Sequence, residues 1–147
     1  TVYRCPSDQR QGTSSFDKLA RSYSLSIFWA NDSNAARGVT NNPWEADVND
    51  QRSISLSSIN KPAQSIVMVD NPLPGNSLGH LSGAGLTAND LRTQVTEPSY
   101  WSHGLKKTNF LFSDGHVQFL SFEATYSDSG KNPWGWDVRE TFWDCSR

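Results

Sequence analysis

Thr108-Asn109-Phe110-Leu111-Phe112-Ser113-Asp114-Gly115-His116-Val117-Gln118-Phe119-Leu120-Ser121 is a pair of apolar, alternating runs set on either side of Asp114-Gly115. Asp-Gly between such runs is a strong hairpin signal, because a two-residue primed turn needs positive φ at both central positions and glycine adopts it freely. With Asp114 and Gly115 as the central pair, Phe112 faces Val117 and Phe110 faces Phe119. Side chains alternate between faces, so Phe110, Phe112, Val117 and Phe119 are expected together on a core face. Leu111, Ser113, His116 and Gln118 fall on the other side.

Working outward, Tyr23 to Trp29 alternates Tyr23, Leu25, Ile27 and Trp29 against Ser24, Ser26 and Phe28, the pattern of a half-buried strand. Ser65 to Asp70 is a continuous apolar run closed by an acid, as in a strand covered on both faces. Asp137 to Trp143 alternates enough for an edge strand that returns Cys145 toward Cys5. Helical spacing is confined to single turns near Phe16–Ala20 and Thr87–Leu91. The remainder is rich in Asn, Asp, Gly, Ser and Pro, which favours long loops. The expected fold class is α+β, a domain dominated by an antiparallel sheet with long loops.

The chain has 147 residues and a net charge of -2, which fits a single domain over 1–147. No basic stripe points to nucleic acid, and no run of 18 apolar residues could span a membrane. No charged-then-apolar leader stands at Thr1, so the expectation is a mature fragment or a chain from which a targeting sequence has been removed. Nucleophile-elbow, Walker, zincin and Rossmann phrases are all missing, and a non-enzymatic role is expected.

Hydrophobic residues make up only 35% of the chain, so its six tryptophans have to supply part of the core. Trp29 and Trp143 fall on expected strands. Trp44, Trp101, Trp134 and Trp136 stand beside Asn, Pro and Gly in loops, where a flat ring either pins its own loop or stacks on a sugar face. Cys5 and Cys145 lie near the two ends, and a secreted chain with two such cysteines more often carries a disulfide than a metal pair. The Cys5–Cys145 bridge is therefore expected. A metal site, with zinc or calcium as the ion, could be built from His103, Asp114 and His116. The plainer reading makes Asp114 a turn residue, His116 its neighbour and His103 a loop residue bonded to backbone. Asp47, Asn49 and Asp50 offer clustered oxygens for calcium but lack the EF-hand spacing.

Three phrases resemble a known family. Asn109-Phe110-Leu111-Phe112-Ser113-Asp114-Gly115-His116-Val117, preceded by His103, is similar to the His, nine residues, Asp-Gly motif of the prepilin-like, pseudopilin-related secreted proteins of planctomycetes, verrucomicrobia and lentisphaerae. Here ten residues rather than nine separate His103 from Asp114. Tyr3-Arg4-Cys5-Pro6-Ser7-Asp8 with Ser22-Tyr23, and Lys61-Pro62 leading to Asp70, resemble two earlier segments of the same proteins in the same order. The resemblance covers roughly residues 3 to 121. It implies a pilin-like globular domain whose N-terminal hydrophobic helix lies outside this chain. The implied function is that of a subunit in a type II secretion or type IV pilus-like assembly, extracellular, on the cell surface or in the periplasm, with a precursor anchored in the inner membrane. Its partners would be other pilin-like subunits. The alternative is a carbohydrate-binding module using the loop tryptophans on a polysaccharide, and a metal-dependent hydrolase is more distant.

Overall fold

A computed structural model describes residues 5–6, 22–28, 38, 40–41, 54–71, 85–86, 91–92, 103, 106–127, 129–135 and 137–145. The Asp-Gly hairpin is formed by β5 (Lys107–Phe112) and β6 (Val117–Ser121). The turn is one residue longer than the two-residue form. Phe112 N–H donates to the His116 carbonyl at 2.9 Å, Gly115 N–H donates to the Phe112 carbonyl at 3.0 Å, and Gly115 has φ of 92°. A three-residue loop of Ser113, Asp114 and Gly115 with left-handed glycine results.

That extra residue sets the register. Leu111 pairs with Val117, Phe110 with Gln118 and Asn109 with Phe119, and a one-residue shift sends every side chain of the second strand to the opposite face. Phe110 and Phe112 are buried as expected, but Val117 and Phe119 are 59% and 44% exposed on the other side. Leu120 and Phe122 take their places at the core.

The sheet continues from the hairpin through β3 (Ile66–Asp70) to β1 (Tyr23–Phe28), all antiparallel. The two-residue strands β2 (Thr40–Asn41) and β4 (Gly85–Leu86) pair parallel to β1. The β3–β5 register shifts between Ile66 and Met68. This bulge breaks the period of two, so Ile66 and Val69, three residues apart, are both buried while Val67 and Met68 are half-buried.

β1 reverses the expected polarity. Ser24 pairs with Val69, and Ser22, Ser24 and Ser26 are buried whereas Leu25 is 40% exposed. The alternation is real, but the serines face in. Each has a bond to justify its burial: Ser26 Oγ donates to the Ile66 carbonyl at 2.7 Å, Asn71 Nδ2 donates to Ser24 Oγ at 2.7 Å, and Cys5 N–H donates to Ser22 Oγ at 2.8 Å.

On the core face Ile66, Val69, Leu91, Phe110, Phe112, Phe122, Tyr126 and Trp143 form one cluster. A 3-10 turn over Glu123–Tyr126 follows β6, and the C-terminal segment then folds back over the sheet. Residues 137–145 do so through successive turns, not as the expected edge strand. Ile66 N–H donates to the Phe142 carbonyl at 2.8 Å and Phe142 N–H to the Thr125 carbonyl at 3.0 Å. Trp143 lies edge-on to Phe110 with centroids 6.0 Å apart, and its Nε1 donates to Thr125 Oγ1 at 2.9 Å. Trp143 is core, as its pattern indicated; Trp29 lies outside the described residues.

Cys5 and Cys145 are both buried and free, and the expected bridge between them is not formed. The Cys145 thiol donates to the Ile66 carbonyl at 3.4 Å, at the first residue of β3. Cys5 is bonded to Ser22, whose carbonyl accepts from Asn71, just past the last residue of β3. The two cysteines are thus tied to opposite ends of β3, at anchors five strand steps of ~3.3 Å, or roughly 16 Å, apart.

Candidate functional site

Asp70 ends β3 opposite Tyr23 on β1, and the strand's pairing with β5 sets it beside Thr108 and Asn109. The residue is 3% exposed. Its Oδ2 accepts from Thr108 Oγ1 at 3.0 Å, from the Asn109 backbone N–H at 3.2 Å and from Asn109 Nδ2 at 3.1 Å. His103, from the turn before β5, adds a fourth contact through Nε2 at 3.1 Å. The same Nε2 stands 3.5 Å from Cys5 Sγ, and the His103 ring lies edge-on to Phe119 with centroids 6.3 Å apart. All donors gather on Oδ2, while Oδ1 is buried with no hydrogen-bond partner.

One carboxylate ties the end of β3 to the start of the hairpin and its preceding turn, and His103 links the entry at Cys5 to that group. A thiol relay would use both ring nitrogens of the histidine, one toward the acid and the other toward the nucleophile. Here acid and thiol share Nε2, whose single N–H can serve one at a time. The geometry is that of a clasp. An open groove of about 410 Å³ runs beside it along the outer sheet face, lined by Tyr23, Met68, Asp70, Asn109, Leu111 and Val117 among others.

The expected metal set is not brought together. Asp114 and His116 meet at the hairpin turn, where Asp114 Oδ1 accepts from the His116 backbone N–H at 3.1 Å and contacts its Nδ1. The His116 ring stacks on Phe112 with centroids 4.4 Å apart. These contacts, the backbone bond first, hold the Asp114 carboxyl below its ordinary range. His103 sits at the opposite end of β5, because its partner Asp70 bonds Asn109 and not the turn. Among the described residues no three His, Cys, Asp or Glu side chains close around a common point as metal ligands would.

Of the loop tryptophans, Trp44, Trp101 and Trp136 lie outside the described residues, as do Asp47, Asn49 and Asp50. Trp134 is 51% exposed on a turn whose backbone is held firmly. Asn132 Oδ1 accepts from Trp134 N–H at 3.0 Å, and Arg92 donates to the carbonyls of Trp134, at 3.0 Å, and Gly135. Nearby, bonds from Arg139 and Lys131 hold the Asp137 carboxyl well below the usual carboxylate range.

Neither Thr108 nor Asn109 is a site candidate by sequence: Thr108 is marked only as the polar start of an otherwise apolar strand, and Asn109 only as the first residue of the phrase that runs to Val117. No helix among the described residues is long and apolar enough to cross a membrane. Comparison with protein-family models, curated proteins and solved structures finds no match to this chain.

Proposed function

We propose that this chain is the globular domain of a pseudopilin-like subunit, a non-enzymatic part of a type II secretion or type IV pilus-like assembly outside the cytoplasm. One observation carries the reading. Each of the three phrases that resemble that family supplies one residue to the clasp: Cys5 from the Cys-Pro-Ser-Asp phrase, Asp70 from the strand after Lys61-Pro62, and His103 from the His-to-Asp-Gly motif. Residues 98 positions apart in sequence meet there, so the phrases belong to one structural device. A four-stranded antiparallel sheet with the C-terminal segment packed on one face is compatible with a pilin-like globular domain. Partners in the assembly would be other pilin-like subunits, joined through a hydrophobic helix encoded upstream.

The test is the sequence upstream of Thr1. It is expected to encode a short basic leader, a processing site with a small residue before an aromatic, and about 20 apolar residues carrying one acid near their start. An ordinary cleavable secretory signal running directly into Thr1 would overturn the reading.

Trp134 favours a second reading, binding of a polysaccharide, since its half-exposed ring stands on a turn pinned by Arg92. Trp134→Ala should then abolish retention on an insoluble polysaccharide with little change in Tm. Unchanged retention would remove this reading.

A further inference from the structure

β6 is the last strand on its side of the sheet, and among the described residues only β5 pairs with it. At the turn Phe112 N–H donates to the His116 carbonyl, which makes Phe112 and His116 a bonding position of the ladder. In an antiparallel ladder such positions alternate, so Gln118 and Leu120 bond to β5, while Val117, Phe119 and Ser121 turn their N–H and C=O groups away from it. Open edges of this kind invite a further strand, and proteins usually guard them with lysine, proline or a bulge. The sequence of β6, VQFLS, has no charge and no proline. Its pairing with β5 is continuous from Val117 to Ser121, without a bulge. Two of its three outward-bonding residues, Val117 and Phe119, are also its exposed apolar ones, at 59% and 44%.

We propose that β6 is an interaction edge whose partner is β6 of a second copy of this chain, paired antiparallel about a two-fold axis at Phe119. The strand is self-complementary in this register. Phe119 stands opposite the partner's Phe119 and Val117 opposite the partner's Ser121, so every outward N–H and C=O of the strand finds an acceptor or donor. Phe119 gains an aromatic cross-strand neighbour. No charged side chain of β6 is set against another, and the contact is isologous, as two-fold dimers require. The outer face, with Leu25 40% exposed and the groove along Met68, Leu111 and Val117, continues across the joint into the second sheet. Five residues of edge bury on the order of several hundred Å², less than the ~1,200 Å² at which stable interfaces begin. The dimer therefore forms by mass action at high concentration.

Sedimentation velocity of the chain from micromolar to about 1 mM, a span that covers weak association, should show the apparent mass rising toward twice that of one chain. Phe119→Lys and Phe119→Glu, each checked for folding by circular dichroism, should remain monomeric throughout, because like charges then stand directly opposite. An equimolar mixture of the two should dimerise again. If either variant fails to fold, Phe119→Cys decides: oxidation should give a cross-linked dimer in high yield, and Val117→Cys, which faces the partner's Ser121, should not. The proposal is overturned by a wild-type chain that stays monomeric across the range, even if its edge captures another protein's strand. It is equally overturned by a dimer that survives both charge variants, by a mixture that stays monomeric, or by a Phe119→Cys chain that does not cross-link.

Discussion

Asp70 distributes its hydrogen bonds unequally, with four donors on Oδ2 and none on Oδ1, and this asymmetry predicts how the site responds to substitution. In Asp70→Asn the side-chain oxygen can keep the Oδ2 position only if the NH₂ group occupies the buried Oδ1 position, where it has no acceptor. The reverse flip sets donors against donors. The expected loss is about 2 to 4 kcal/mol in urea unfolding, from weaker charge-assisted bonds plus a buried unsatisfied donor. A loss under about 0.5 kcal/mol, typical of a surface site, would show that the carboxylate is not the keystone of the clasp. Tyr126 predicts a pH effect. Burial pushes its hydroxyl from 10.0 up to about 12, with Arg92 opposing and Asp137 adding to the shift. Between these values the folded chain keeps a proton that the unfolded chain has lost, so the contribution is complete below pH 10 and disappears as pH rises through 12. Denaturation midpoints measured from pH 9 to 12 should fall, and Tyr126→Phe should flatten that fall; a profile identical in the two proteins would contradict the assignment.

Among the elements, the hairpin separates what was legible in the chain from what was not. Asp114-Gly115 between apolar runs located the turn correctly, because positive φ is a local demand. The same two residues serve both a two-residue and a three-residue loop, and only the ladder to β5 distinguishes them. That choice decided whether Val117 and Phe119 were core or exposed. Gly115→Ala isolates the local demand. At φ of 92° a side chain is strained even though an added Cβ would meet nothing within 4 Å, so a loss of about 1 to 2 kcal/mol is expected from backbone conformation alone. An unaltered urea midpoint would mean that the loop adopts another turn at no cost. β1 was legible in a more limited way. Its alternation marked a strand, but the inward side was misassigned because the interior beneath it is partly polar, with Ser22, Ser24 and Ser26 bonded to Cys5, Asn71 and the Ile66 carbonyl. Hydrophobicity indicates the inward face only where the covering layer is itself apolar. The clasp was half legible: Cys5, Asp70 and His103 were each noticed, but as a bridge, a strand end and a metal ligand, since their meeting depends on long-range pairing.

At the scale of the whole molecule, the final segment takes the place of a second layer. Ile66 and Phe142, then Phe142 and Thr125, bond backbone to backbone, and Trp143 enters the centre of the aromatic cluster between Phe110 and Phe122. A bridge to Cys5 is not needed to bring the chain end back, because Cys145 is delivered to the Ile66 end of β3 by these contacts. A domain of this size is stable by about 5 to 15 kcal/mol, and truncating a buried tryptophan typically costs about 3 to 5 kcal/mol. Trp143→Ala also strands Thr125 Oγ1, which accepts from the indole at 2.9 Å, although that hydroxyl keeps its own bond to the Phe122 carbonyl. The expected outcome is a chain near its unfolding threshold at 37 °C, with a clearly lowered Tm and cooperativity lost from β3 and β5 together. Trp134→Ala, whose ring is 51% exposed and only tilted against Phe122, should change Tm little. Thermal unfolding of the two variants side by side checks the division between a core and a surface tryptophan. If Trp143→Ala melts with the wild type, or Trp134→Ala is the more damaging, the C-terminal segment is not what closes the sheet.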